Sequence, residues 1–247
     1  MPEGPSIVLA KEVLTPRIKN KIIQKATGNA KIEMPLLQKK KVTEIKSWGK
    51  HLLICLPACT IKIHFLMFGS YSIDEQIRPD SRVRLRLEFA KHKVYFYTCS
   101  VRLLTTPLDE LYDWESDVMN DSWNARKARH KLKDIPDDLV CDALLNQDIF
   151  AGVGNIIKNE VLYRIRLHPE TQIKNIPSKK LSELVLEARN YSFDFLEWKR
   201  EFTLKKHWLA HTKKTCLRCN LPLIKKYCGK THRRTFFCSN CQIKYST

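Results

Sequence analysis

The chain has 247 residues, with 44 Lys+Arg against 26 Asp+Glu, a formal charge of +18. Hydrophobic residues at 43% and charged residues at 28% exclude a disordered chain, and no apolar run approaches the ~20 residues that cross a bilayer. The opening MPEGPSIVLAKEVLTPRIKN has no uninterrupted apolar stretch ahead of its charges, so no secretion signal is expected.

Pro5 at a first helical position and Pro16 at the end bracket a short helix, Ser6–Leu14. Strands are expected at Leu52–Leu56, before Pro57, and where Ile61, Ile63 and Phe65 alternate with Lys62 and His64. In Ser81–Phe89 the apolar Val83, Leu85, Leu87 and Phe89 alternate with Arg82, Arg84, Arg86 and Glu88, the period-two pattern of a strand covered on one face. Ala90–Lys93 reads as a turn and Val94–Thr98 as the returning strand. The acidic stretch Leu108–Asp121 reads as a hinge, and beyond it the pattern changes to helices at Trp123–Leu132, Asp137–Leu145, Asn155–Ile165 and Ser178–Lys199.

The charge is uneven. From Leu196 to Thr247 there are 13 Lys+Arg and 2 Asp+Glu, +11 in 52 residues. A compact basic terminus without a long amphipathic apolar face favours nucleic acid over a membrane surface. The same segment holds Cys216-Leu217-Arg218-Cys219, an interval of eighteen residues, then Cys238-Ser239-Asn240-Cys241. Two such pairs on facing turns supply four thiolates in the tetrahedral arrangement of one structural Zn²⁺ site. Cys228 and His232 lie within the interval and could replace a ligand, although neither has the paired spacing. The nine cysteines are otherwise expected to be thiols in a reducing, cytoplasmic setting.

Three further patterns carry chemistry. Arg233 and Arg234, on a metal-pinned hairpin, are placed to reach phosphates with little ordering cost; as a bare sequence the run is a solvated basic loop. Gly152-Val153-Gly154-Asn155 joins two helices in a tight turn whose backbone N–H groups and following helix start suit a phosphate, with a packing turn as the plain alternative. At Met1-Pro2-Glu3-Gly4-Pro5, loss of Met1 leaves a secondary amine with a pKa near the ~8 of an α-amino group, partly unprotonated at neutral pH and able to attack a sugar C1′. Glu3 beside it could exchange protons. By composition alone, MPEGP is a capped helix start.

Taken together, MPEGP, Gly49-Lys50-His51-Leu52-Leu53, Gly152-Val153-Gly154-Asn155 and the cysteine-pair finger with an internal Arg and a following Gln242 resemble the formamidopyrimidine-DNA glycosylase/endonuclease VIII family, in order and spacing along the whole chain. The resemblance implies an α+β chain of three parts: a β-sandwich with a leading helix (1–112), a helix-two-turn-helix domain (113–210) and a β-hairpin zinc finger (211–247), with DNA between the lobes. It implies a monomeric bifunctional DNA glycosylase/AP lyase of base excision repair, acting on duplex DNA with oxidised bases or abasic sites and located in the cytoplasm at the nucleoid. By similarity Pro2 is the Schiff-base nucleophile, Glu3 the acid/base at the sugar, and Lys50 a proton donor and phosphate contact. Gly154 and Asn155 hold backbone phosphate, and Arg233, or its neighbour Arg234, serves the second elimination. Leu66-Met67-Phe68, at the turn end of a strand expected over His64–Gly69, is the candidate wedge for the gap left by an extruded nucleotide; the plain alternative is that these side chains close the sandwich core. Two departures bear on the subclass: Cys99-Ser100-Val101-Arg102-Leu103-Leu104 lacks the Arg/Phe turn of formamidopyrimidine-type enzymes, and no Gly-rich capping loop precedes the finger. Both favour the endonuclease VIII side, whose lesions are oxidised pyrimidines. Ser6 stands where the family has Glu and Leu66 where that subclass has Gln, which leaves a non-catalytic damaged-DNA binder on the same scaffold as the alternative.

Overall fold

A computed structural model describes residues 2–246. The chain divides into two compact units, Met1–Tyr112 and Asp113–Thr247, and is α+β throughout, with a β-sandwich first and helices and a hairpin after.

In the first unit, helix α1 (Gly4–Ile18) buries Ile7, Ala10, Leu14 and Ile18 along one stripe at helical spacing. It continues through Pro16, where an end was expected. A proline in the last turn removes a single N–H, and neighbouring side chains cover carbonyls there: the Thr15 hydroxyl donates to Lys11 O at 2.6 Å and Arg17 Nη1 to Val13 O at 2.5 Å.

Eight strands follow: β1 (Lys25–Thr27), β2 (Glu44–Trp48), β3 (His51–Cys55), β4 (Thr60–His64), β5 (Ser70–Ile73), β6 (Val83–Glu88), β7 (Lys93–Tyr97) and β8 (Ser100–Leu104). They make two antiparallel four-stranded sheets, ordered β1-β6-β7-β5 and β2-β3-β4-β8. In β6 the expected alternation holds, with Val83, Leu85 and Leu87 buried and Arg84, Arg86 and Glu88 half-buried. Leu52, Ile54, Ile61 and Ile63 from one sheet share a core with Leu85 and Phe96 from the other. The patterning did not mark β1, β2, β5 or β8: β1 is only three residues long, too short for a period-two signal, and burial does not alternate along β2, β5 or β8. The strand expected over His64–Gly69 stops at His64.

The stretch expected to be an irregular hinge holds a short helix α2 (Leu108–Leu111), the unit boundary at Tyr112/Asp113, and a 3-10 turn at Trp114–Ser116. The second unit contains α3 (Ala125–Lys133), α4 (Val140–Ala143), α5 (Asn155–Arg164), α6 (Ser178–Arg200) and a hairpin of β9 (Ile224–Cys228) with β10 (Arg233–Phe237). The helix expected over Asp137–Leu145 shrinks to the four residues of α4. Its first N–H groups are diverted, Val140 N–H to Thr171 O at 2.9 Å and Cys141 N–H to Pro169 O at 3.2 Å, so no turn can be built before them. Phe237 and Cys228 of the hairpin belong to the same buried cluster as Phe150, Ile157, Leu184 and Tyr191; the hairpin is part of the helical core. Among the described residues no helix is long and apolar enough to cross a membrane.

Candidate nucleic-acid and lesion site

The first unit brings several predicted residues to defined places. Glu3 is fully buried at the N-cap of α1, in extended backbone, and its carbonyl accepts Ser6 N–H at 2.8 Å and Ile7 N–H at 3.3 Å. Pro5 follows as the first-turn proline, where a missing N–H costs nothing. Pro2 and Ser6 are half-buried. Lys50 sits with Gly49 (φ +52°) in the turn between β2 and β3.

The β3–β4 register sets His51 opposite His64, their rings 5.4 Å apart. Trp48 and Tyr112 complete an aromatic group around His51, each 5.7 Å from it. Burial, then the positive charges of Lys62, His64 and Lys50, pull the His51 imidazole down to about 4; burial, Lys50 and Lys62 lower His64 as well. Neither histidine was singled out in the sequence, because the pairing is made across a sheet. Neutral His64 has a local use: its Nδ1 accepts Leu66 N–H at 3.1 Å.

That bond supports the turn after β4. Leu66 takes φ +53°, and Leu66, Met67 and Phe68 are 49%, 53% and 79% exposed. They do not close the sandwich core. Gly69 shuts the turn with its N–H 2.7 Å from Phe65 O, and a Cβ there would lie 2.2 Å from that same oxygen, so the approach requires glycine. Three consecutive apolar side chains thus stand exposed on a turn held at both ends.

In the second unit, Cys216, Cys219, Cys238 and Cys241 converge with their sulfurs within 4.8 Å of one another. The Cys216–Cys241 and Cys219–Cys238 separations are 3.9 and 3.5 Å, and among the described residues no cysteine forms a disulfide. Four sulfurs at ~2.3 Å from a tetrahedral Zn²⁺ are about 3.8 Å apart, so the cluster fits that ion. Cys228 is buried in the helical core and His232 is exposed in the hairpin tip; neither joins the four. Gln242 braces the cluster, accepting Cys238 N–H at 2.9 Å and donating to Leu167 O at 2.9 Å.

Helix α5 begins at Asn155, directly after Gly154, and carries a row of buried polar side chains into the hairpin. Asn155 Nδ2 donates to Arg234 O at 2.9 Å, Asn159 Oδ1 accepts Phe236 N–H at 3.3 Å, and Lys158 Nζ donates to the Thr235 hydroxyl at 2.7 Å. Glu160, also fully buried, accepts the N–H groups of Leu209, Ala210 and His211. Sequence reading missed Lys158, Asn159 and Glu160, since nothing in a helical stretch marks which polar residues turn inward. The two finger arginines differ. Arg234 is tied to Tyr227, 3.0 Å from its hydroxyl and stacked on its ring at 5.6 Å, whereas the exposed Arg233 side chain has no partner among the described residues.

The formamidopyrimidine-DNA glycosylase N-terminal domain matches residues 1–105, and the formamidopyrimidine-DNA glycosylase H2TH domain matches residues 116–191. The chain belongs to the formamidopyrimidine-DNA glycosylase/endonuclease VIII family. Relatives on both sides of that family are similar. Endonuclease 8-like 3 of Xenopus laevis is 29% identical over 80% of this chain and 34% of its own length; the chain thus spans about a third of that relative. Formamidopyrimidine-DNA glycosylase of Lactobacillus helveticus is 28% identical over 99% of this chain and 100% of its own. The crystal structure of Lactococcus lactis formamidopyrimidine-DNA glycosylase, bound non-covalently to DNA containing an AP site, superposes with a TM-score of 0.85 at 20% identity, covering 98% of this chain and 100% of that one. The family fold is therefore present in full: sandwich, helix-two-turn-helix and cysteine-pair hairpin.

Proposed function

We propose that the protein is a bifunctional DNA glycosylase/AP lyase of base excision repair that removes oxidised bases, pyrimidines preferentially, from duplex DNA and nicks the strand. The observation that carries the reading is Glu3 buried at the cap of α1 with the half-buried Pro2 directly before it, inside a segment that matches the family's N-terminal domain.

The chemistry follows from a free secondary amine. Once Met1 is removed, the Pro2 nitrogen attacks C1′ of the damaged nucleotide, and the base leaves with its bonding pair and takes up a proton. Glu3 assists by moving protons at the sugar, in a setting where burial removes competing water. The sugar ring then opens, the C1′–O4′ bond breaking as O4′ takes up a proton, and C1′ and the Pro2 nitrogen become an iminium. The iminium acidifies C2′, a base removes the C2′ proton and the 3′-phosphate departs; loss of the C4′ proton to a base then expels the 5′-phosphate. Water hydrolyses the remaining imine and restores the amine. Lys50 donates protons and contacts phosphate in the first elimination. Arg233, whose guanidinium is uncommitted, meets the phosphate expelled in the second. Gly154 and Asn155 at the start of α5 hold the backbone, and Arg234 adds charge beside it. Leu66, Met67 and Phe68 fill the space vacated by the extruded nucleotide. A Zn²⁺ on the four cysteines supplies a crosslink that orders the finger and takes no part in the reaction.

The test is borohydride trapping on an abasic duplex, with the intact N-terminus checked by mass. A covalent adduct is expected from wild-type protein lacking Met1, and none from a Pro2→Gly chain acetylated at its terminus. If wild-type protein with a free Pro2 forms no adduct on any oxidised or abasic substrate, the enzymatic reading is wrong. Tight abasic-site binding in that case supports the non-catalytic damaged-DNA binder suggested by Ser6 and Leu66.

A further inference from the structure

The tip of the β9–β10 hairpin is held from outside the finger. Asp142 of α4 is 8% exposed. Its Oδ2 accepts Lys230 N–H at 2.8 Å, and its Oδ1 accepts the Thr231 N–H at 3.1 Å and the Thr231 hydroxyl at 2.7 Å. Gly229 lies against the same carboxylate with φ +67°, and a Cβ there would fall 2.1 Å from Asp142 Oδ2, so the tip approaches as closely as a glycine permits. Lys230 Nζ is further paired to Asp138. Three donors aimed at one buried carboxylate fix both the position and the rotation of the tip. Arg233 comes two residues after Thr231, as the first residue of β10.

We propose that Asp142 is the positioning residue for Arg233. The carboxylate and the four-cysteine cluster pin the hairpin at opposite ends, and the carboxylate end sets the direction in which the Arg233 guanidinium is presented. Ordering the tip before DNA arrives removes a cost that binding or chemistry would otherwise meet. The inference rests on the role given to Arg233 above. It adds a residue outside the finger to the control of the second elimination.

The experiment uses the full zinc-loaded chain on an abasic duplex under single-turnover conditions, reading the ratio of δ- to β-elimination product. Asp142→Asn keeps the side-chain volume and one acceptor, and Thr231→Val removes only the hydroxyl bond. Asp142→Asn is expected to lower the δ:β ratio roughly tenfold, the size that loss of a charge-assisted hydrogen bond gives, and Thr231→Val to lower it by less. The β-elimination rate, borohydride adduct and zinc content should stay at wild-type values, which a merely destabilised chain would not maintain. Combined with Arg233→Ala, Asp142→Asn should add no further loss, because both act through one guanidinium. A wild-type ratio in Asp142→Asn and in Asp142→Ala, beside a lost δ product in Arg233→Ala, overturns the proposal. A wild-type ratio in Arg233→Ala itself instead removes the role assigned to Arg233. Amide exchange at Lys230 and Thr231 is independent of both: it should accelerate roughly tenfold in Asp142→Asn, and unchanged exchange overturns the hold itself, whatever reaction the protein performs.

Discussion

Glu160→Gln is the most economical probe of how the finger is joined to the helices. The Glu160 carboxylate is fully buried; Oε1 accepts Ala210 N–H at 2.9 Å and His211 N–H at 2.8 Å, and the Leu209 N–H is shared between Oε2 at 2.9 Å and Oε1 at 3.1 Å. Glutamine has the same shape but only one oxygen. Its best orientation puts the oxygen at the Oε1 position, keeping Ala210, His211 and the longer 3.1 Å contact to Leu209, and turns an amide NH₂ toward the Leu209 N–H in place of its shorter partner. A buried donor then faces another donor, which costs about 1–3 kcal/mol, and the two surviving bonds weaken from charge-assisted to neutral at about 0.5–1 kcal/mol each. Arg164 Nε, 3.9 Å from Oε2, is too distant to add much. Relief of the buried charge offsets part of the loss, leaving about 3 kcal/mol, or about 6–12 °C in the melting of a chain of this size. Tryptophan fluorescence follows the relevant unit, since Trp114, Trp123, Trp198 and Trp208 lie in it and only Trp48 lies outside. A shift below about 2 °C would mean that the carboxylate is not the acceptor for these three amides, and the account of the join would fall.

Two further outcomes are expected. Stripping zinc with a chelator should loosen the hairpin and weaken DNA binding while the first unit keeps its β-type circular dichroism, because the sandwich core shares no residue with the cysteine cluster; full DNA affinity in a demonstrably zinc-free chain would contradict the metal assignment. In the first unit, a folded-state pKa of about 4 for His51, against 6.5 unfolded, means that the unfolded chain binds the extra proton between those values. Stability from this group is therefore complete above pH 6.5 and lost as pH falls to about 4, by about 2 kcal/mol after allowance for partial solvent screening. His64 is lowered too and works in the same direction. Urea titrations of wild type and His51→Phe across pH 4–7 test this: the variant should have the flatter profile, and parallel profiles would refute it.

Much of the architecture was legible because it rests on short-range patterning. The alternation in Val83–Glu88 and the two cysteine pairs each state their outcome in a few residues. Leu66–Phe68 stood out as an apolar run next to Gly69, but whether it faced core or solvent depended on a left-handed residue and a glycine-closed turn that side-chain pattern does not encode. Pro16 misled in the opposite sense: it falls in the last turn of α1, where the loss of one intrahelical N–H does not stop the helix before Ile18. The length of α4 was hidden because its opening N–H groups are claimed by residues 169–171, about thirty positions downstream. The same holds for His51 with His64 and for Asp142 with Thr231: each pairing is a contact that only the folded chain makes.

The side chains that α5 sends into the hairpin carry a consequence for engineering. Asn155, Lys158 and Asn159 between them satisfy the Arg234 carbonyl, the Thr235 hydroxyl and the Phe236 amide, so the cysteine-bearing hairpin is not a cassette that can be swapped between relatives by cutting at its flanks. A transplant that keeps residues 211–247 but changes the α5 sequence leaves those three groups without their donors or acceptor, and a successful chimera must carry helix and hairpin across as one graft.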